Sequence, residues 1–324
     1  RVITHEFGHN YGLYHSNYWL PEQSLPGQYS GSPDFSSLEY GDIFDRMGSG
    51  SLPEAHFNHY QKNKLNWLPD VKVKDVTTDG TYRIYRFDHI SALDNPTHAL
   101  RVPMQNDVTY WVGFRQLYTD NTNMMSGAYV VAEGLYANRP NLIDMTPESA
   151  ASEHDDRADA ALPVGLSYVD ADAGVTFTTI AVGSDGVGDE WLEVKVEFEP
   201  RFGIIQNTYE FDEARGLATL TVQRTLSDIG AASVDYSTSD STATAGTDYT
   251  ATSGTVQWAD GENTDKQIVI GIKPDTEVEG IEDFIVALSN PTSGILANRQ
   301  ATATVSILDP GQRYSSFTPD FFNS

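Results

Sequence analysis

The sequence predicts a multidomain α+β protein: a helical segment bearing a metal-ligand motif, then two antiparallel β-sandwiches. Three observations carry this reading. Residues 5–15, HEFGHNYGLYH, set His5 and His9 at helical spacing, with Glu6 beside His5 and a third histidine, His15, beyond Gly12. From about Val71 to Phe198 the pattern changes to short stretches rich in Val, Tyr, Phe and Thr, separated by turn residues. A second β-rich stretch runs from about Ile204 to Leu308, with turns roughly every ten residues. The expected divisions are residues 1–70, 71–200 and 201–310, with 311–324 as a tail or linker.

In the first segment, His5 and His9 stand four apart, so on a helix they project from one face and can share one ion. Gly12 allows the chain to leave the helix in a conformation that a Cβ resists, and the turn it permits brings His15 round as a third imidazole. Three protein ligands leave one position open on zinc, where a water molecule acquires a pKa of roughly 7. Glu6, beside His5, is placed to take that proton and to pass it to a leaving amine. Downstream, Phe57, Tyr60, Leu65 and Leu68 recur at roughly helical spacing up to Pro69 and are expected to pack behind this site. His56 and His59 read as surface or packing residues, since three histidines already complete the ligand set.

In the second segment, Thr81–Arg86 and Tyr110–Phe114 read as strands. Asp155 and Asp156, beside His154, read as a solvated loop. In the third, Ala218–Val222 and Gln267–Ile272 show strand alternation. The tail holds Tyr314, Phe317, Phe321 and Phe322 without periodicity.

Composition narrows the partners. Twenty basic residues against 46 acidic give a formal charge of −26, which repels nucleic-acid phosphates and anionic membranes, so neither is an expected partner. The same excess supplies carboxylates for hard cations such as calcium. Cysteine is absent, so a metal must sit on His, Asp, Glu or carbonyl oxygen. No run of about 18 apolar residues suggests a membrane span. The chain opens on Arg1-Val2-Ile3-Thr4 directly before His5, and the expectation is that a signal peptide, a propeptide and part of a catalytic domain precede residue 1.

HEFGHNYGLYH fits the pattern HExxHxxGxxH and resembles the metzincin metalloproteases. The resemblance implies zinc on His5, His9 and His15, Glu6 as general base, and a methionine turn beneath the metal, for which Met47 in EYGDIFDRMGSG is the candidate. Together with HFNHYQKNKLNWL, these motifs are similar to the gametolysin-like branch of metzincins, whose members are secreted. The first segment is then the C-terminal part of a metzincin catalytic domain. A β-rich domain follows the catalytic part in bacterial relatives, and residues 142–182 resemble it. The implied activity is endopeptidase cleavage of a protein or peptide substrate, such as an extracellular matrix or cell-wall protein.

Residues 233–291, with ATVSILD at 303–309, resemble a Calx-beta domain, an immunoglobulin-like sandwich in which carboxylates at one end hold calcium. Asp248, Asp275, Glu279, Glu282 and Asp309 match acidic positions of that pattern, and Glu213 matches more weakly. Pro274 stands where calcium-binding members often have Asp, and Pro310 and Gly311 replace an acidic run, departures that imply weaker affinity or fewer ions. Two function classes follow. One is a secreted zinc endopeptidase with accessory β-domains; the other is an extracellular adhesion or scaffold protein with an inactive protease-like segment and a calcium-binding Calx-beta module. The intact Glu6 and histidines favour the first. Another class of hydrolase using the same metal chemistry is a third reading.

Overall fold

The computed structural model describes residues 2–19, 26, 37–50, 53–89, 93, 96–104, 107–136, 139–147, 149, 157–297 and 299–309. The His154, Asp155 and Asp156 cluster, Pro310, Gly311 and the tail aromatics lie outside the described residues. The chain forms two compact units, Arg1–Phe198 and Glu199–Ser324. The division expected near residue 70 therefore falls inside the first unit.

In chain order the first unit contains α1 (Val2–Asn10), β1 (Asn17–Trp19), β2 (Ser37–Leu38), α2 (His59–Lys64), β3 (Val73–Asp75), β4 (Gly80–Tyr85), β5 (Ala99–Pro103) and β6 (Thr109–Gly113). It continues with α3 (Thr122–Ser126), β7 (Gly127–Tyr136), β8 (Arg139–Ile143), β9 (Leu162–Pro163), β10 (Ser167–Asp170), β11 (Val175–Ser184) and β12 (Glu190–Phe198). One sheet runs β2-β1-β8-β7-β6-β5-β3, with β9 on β7; the other runs β10-β11-β12-β4. The first sheet is not purely antiparallel as expected, because β1 pairs parallel with β8 and β3 parallel with β5. Parallel partners need long crossovers, so strands distant in sequence meet here and leave no hairpin signal. The β1 to β8 pairing is what joins the segment before residue 70 to the strands after it. Alternation along β12, with Leu192, Val194, Val196 and Phe198 buried, faces one side of that strand into the core. Tyr110 of β6 meets Phe177 of β11 edge-on at 5.3 Å between centroids, so the two sheets pack face to face.

Helix α1 is short, and its ending follows from one residue. Gly12 adopts φ 81°, a left-handed conformation, while its N–H bonds the carbonyl of His9 and Leu13 N–H bonds that of Gly8. Of the apolar residues near it, Leu13 is buried with Met47 and Phe57, with Leu65 packed against them. The stretch expected to be helical up to Pro69 is helical only over His59–Lys64. Asn58 caps its start by accepting from Gln61 N–H, and Asn66 at φ 57° turns the chain away. Phe57, Tyr60 and Leu68 are buried as the spacing implies.

The second unit contains β13 (Arg201–Ile204), β14 (Thr208–Asp212), β15 (Leu217–Thr225), β16 (Ala232–Asp240), β17 (Ser253–Trp258), β18 (Lys266–Gly271), β19 (Glu282–Thr292), β20 (Ile295–Leu296) and β21 (Thr302–Leu308). Its sheets run β18-β15-β13-β20 and β14-β21-β19-β16-β17. Most pairings are antiparallel; β13 with β20 and β14 with β21 are parallel, because the segment from 201 to 212 crosses from one sheet to the other. Inward positions Ala218, Leu220 and Val222 of β15 meet Trp258, Ile268, Phe284 and Val305 in one core. Burying such a set at roughly 25 cal/mol per Å² of apolar surface is what holds two thin sheets together.

Candidate metal centres

Helix α1 brings His5 and His9 onto one face, and the turn at Gly12 returns His15 to them. The Nε2 atoms of His5 and His9 are 3.2 Å apart, as are those of His9 and His15. Ring centroids lie 4.8, 5.4 and 4.9 Å apart around the three pairs. Each Nδ1 faces an acceptor: the Arg46 carbonyl at 2.8 Å from His5, the Leu13 carbonyl at 2.9 Å from His9, and Glu39 Oε1 at 2.8 Å from His15. Neutral imidazoles that donate through Nδ1 carry a lone pair on Nε2. Three lone pairs converging at this distance repel one another unless a cation lies between them, so these contacts are not hydrogen bonds. Tetrahedral zinc with Zn–N bonds near 2.0–2.1 Å separates its nitrogens by about 3.3 Å, so this donor set fits the ion.

Glu6 is exposed one position along the helix from His5. Beneath the helix sits Met47, fully buried: a Cβ built on Gly8 would fall 2.3 Å from its sulfur. The thioether thus lies against the turn between His5 and His9, and Gly8 is what lets it approach. The turn holding Met47 is braced from below. Asp45 accepts from Met47 N–H at 2.6 Å and from Asn58 N–H, while Asp42 accepts from Phe44 N–H at 2.9 Å and from the Tyr129 hydroxyl. Arg115, buried, donates to the Phe44 carbonyl at 2.8 Å and to the Tyr118 hydroxyl at 3.0 Å. Burial and the adjacent Asp42 push Asp45 up to about 7, and burial raises Asp42 as well. Burial holds His15 below the ordinary imidazole range against the raising pull of Glu39.

Asp42, Asp45, Arg115, Glu39 and Tyr40 were not singled out in the sequence. The pair in DIFD flanking two apolar residues was the one available signal for the buried acids. His56 and His59 stay out of the metal site. His59 is fully buried against Phe87, Trp111 and Tyr129, and burial pushes it down to about 3; His56, also desolvated, falls to about 2.

The second cluster lies at one end of the second unit. Asp248, Glu279 and Glu282 present carboxylate oxygens within 4.8 Å of one another. Asp309 accepts from the N–H groups of Glu279 and Gly280 at 3.0 and 2.9 Å, and Glu213 accepts from Asp275 N–H at 2.8 Å, so these residues order the loop that carries Glu279. Desolvation, then the charges of Asp275, Asp248, Asp309 and Glu213, raise Glu279 above the usual carboxylate range. Desolvation, then Asp248 and Glu279, raise Glu282 likewise. The fold thus draws together all six carboxylates named from the sequence. Oxygen ligands from several loops are what calcium takes. Pro274 is exposed in the loop between β18 and β19.

Comparison with known proteins bears on this second unit. Residues 197–311 match the Calx-beta domain family. Sodium/calcium exchanger 1 of Felis catus is 44% identical over 86 residues, 26% of this chain. Adhesion G-protein coupled receptor V1 of Danio rerio is 34% identical over 111 residues, 34% of this chain. The chain spans 9% of the length of that exchanger and 2% of that receptor. Among solved structures, the apo form of the Calx CBD1 domain is 33% identical, with 35% of this chain and 98% of that one covered at a TM-score of 0.33. The family match does not extend over α1 and its histidines. Among the described residues no helix is long and apolar enough to cross a membrane.

Proposed function

We propose that the chain is the zinc-binding part of a secreted, gametolysin-like metzincin endopeptidase joined to a calcium-binding Calx-beta module. The observation that carries the zinc reading is the convergence of the His5, His9 and His15 Nε2 atoms, each with its Nδ1 already committed to an acceptor. When bound, zinc supplies Lewis acidity that activates water near neutral pH and polarises a peptide carbonyl. The remaining chemistry belongs to the protein. Glu6 accepts a proton from the attacking water and returns it to the amine as the peptide bond breaks, which needs an accessible carboxylate on the helix face next to His5. Met47 keeps the floor beneath the imidazoles apolar and closed to water. Metal analysis of the purified chain is expected to find about one zinc per molecule at this site. Glu6→Gln is expected to keep the zinc and abolish peptide hydrolysis, because an amide cannot take the proton. Retained cleavage by that variant would remove Glu6 from its role.

A second reading is favoured by the Calx-beta match over 197–311: an extracellular adhesion or scaffold protein in which calcium on Asp248, Asp275, Glu279, Glu282 and Asp309 is the working feature. It predicts zinc uptake without hydrolysis of casein or peptides by the wild-type protein.

A further inference from the structure

We infer that Glu39 and Tyr40 are positioning residues for His15, a clamp that completes the three-histidine site; this rests on the zinc reading above. His5 and His9 are oriented by the helix that carries them, and their Nδ1 atoms donate to backbone carbonyls. His15 has no such support, since it lies beyond the helix in the irregular stretch before β1. Its ring is held from two directions by neighbours in the turn after β2. Glu39 Oε1 accepts from its Nδ1 at 2.8 Å, and Tyr40 covers its face at 3.9 Å between centroids with a 35° tilt.

That turn is itself built for the task. Antiparallel pairing of Tyr18 with Leu38 and of Trp19 with Ser37 sets residues 39 and 40 beside His15. Tyr40 adopts φ 60°, a left-handed conformation unusual for an aromatic residue. Its carbonyl accepts from Ser49 N–H at 2.7 Å, tying the clamp to the turn that follows Met47. Arg139 Nη1 donates at 2.6 Å to the same Glu39 oxygen, Oε1, that faces His15, and so holds the carboxylate in place. A carboxylate on Nδ1–H sets the tautomer, aims Nε2 at the metal and raises its basicity. A carboxylate as exposed as that of Glu39, whose charged partner is Arg139, adds little to folding. Its effect therefore falls on metal affinity and not on stability.

The test is a competition titration of zinc against a chelator, using the full chain, with thermal unfolding of the metal-free protein measured alongside. Glu39→Ala is expected to weaken zinc binding about 10- to 100-fold while the metal-free unfolding temperature stays put. Glu39→Gln, which keeps an acceptor but loses the charge, should fall between. Cobalt substituted for zinc should show an altered visible absorption envelope in Glu39→Ala and in Tyr40→Ala. Zinc affinity within threefold of wild type in Glu39→Ala, with an unchanged cobalt spectrum, overturns the clamp and leaves the zinc site standing. A wild-type chain that takes up no zinc overturns both.

Discussion

Replacing Gly48 with alanine tests how rigidly the turn under the three histidines is held. A Cβ at this position would lie 2.1 Å from the Asp42 carbonyl oxygen and 2.9 Å from that of Ser16. Carbon and oxygen approach no closer than about 3.3 Å without repulsion, so one partner must retreat by roughly 1 Å. Both obstacles are backbone. Asp42 is fully buried and tied through its carboxylate to Phe44 and Tyr129, so it cannot yield cheaply. The turn must move instead, and its carbonyls go with it: Met47 O, bonded to Ser16 N–H at 3.0 Å, and Arg46 O, which orients His5. Overpacking of this kind costs about 1–3 kcal/mol, while restricting the unfolded chain returns only about 0.4–1 kcal/mol. The clash wins. For a unit of this size the net loss lowers the melting temperature by a few degrees. Because the segments bearing His5 and His15 both lose alignment, zinc affinity should drop at least about tenfold. Differential scanning calorimetry and chelator competition measure the two effects. A Gly48→Ala protein with the melting temperature and zinc affinity of the wild type would refute the argument that this turn is locked against the strand leading from His15.

Two further outcomes are expected. Met47→Leu conserves volume in the pocket with Leu13 and Phe57, so it should cost less than about 1.5 kcal/mol in denaturant unfolding and retain zinc; a folded variant lacking the metal would give the sulfur a role beyond packing. In the second unit, Glu213, Glu279 and Glu282 all sit above the ordinary carboxylate value of 4.5. Their folded-state pKa is raised, so the stability they contribute is present below 4.5 and is lost as pH rises through the raised folded value. Without calcium the cluster therefore opposes folding at neutral pH. Calcium should raise the melting temperature at pH 7 and do so less at about pH 5, where protons compete for the same oxygens. Equal melting with calcium and with chelator across that range would count against the cluster as a calcium site.

Much of the geometry of the three-histidine cluster was legible because it is local. Spacing of four between His5 and His9 and a glycine before His15 encode a helix and its exit within 11 residues, and the structure realises both through α1 and the left-handed Gly12. Alternation in Leu217–Thr225 is equally local, and β15 buries every second side chain accordingly. What stayed hidden depends on residues far apart. Glu39 approaches His15 only because β2 pairs with β1, and a lone glutamate in a glycine-rich, serine-rich loop has no periodic signature. Arg115 looks like any strand-end cation, yet it lies buried near two carboxylates contributed from residues 42–45. The boundary expected near 70 followed a change of period from helical to strand-like. The fold ignores that change, because the strand entered just after His15 finds its partner beyond it.

The parallel pairing of β1 with β8 also sets the order in which the molecule can be made. Asn17 aligns with Asn141, 124 positions later, so closing this contact costs about 4 kcal/mol of loop entropy before any reward. Arg139, which steadies Glu39, sits on the same late strand. During synthesis the histidine helix leaves the ribosome long before the strand that carries Arg139, and with it the support of Glu39 beside His15, exists. The nascent chain therefore carries the complete histidine motif without its finished surroundings until residue 143 has emerged and the sheet has closed. On the endopeptidase reading proposed above, that delay keeps the site unformed while its own chain is still unfolded and most easily cleaved.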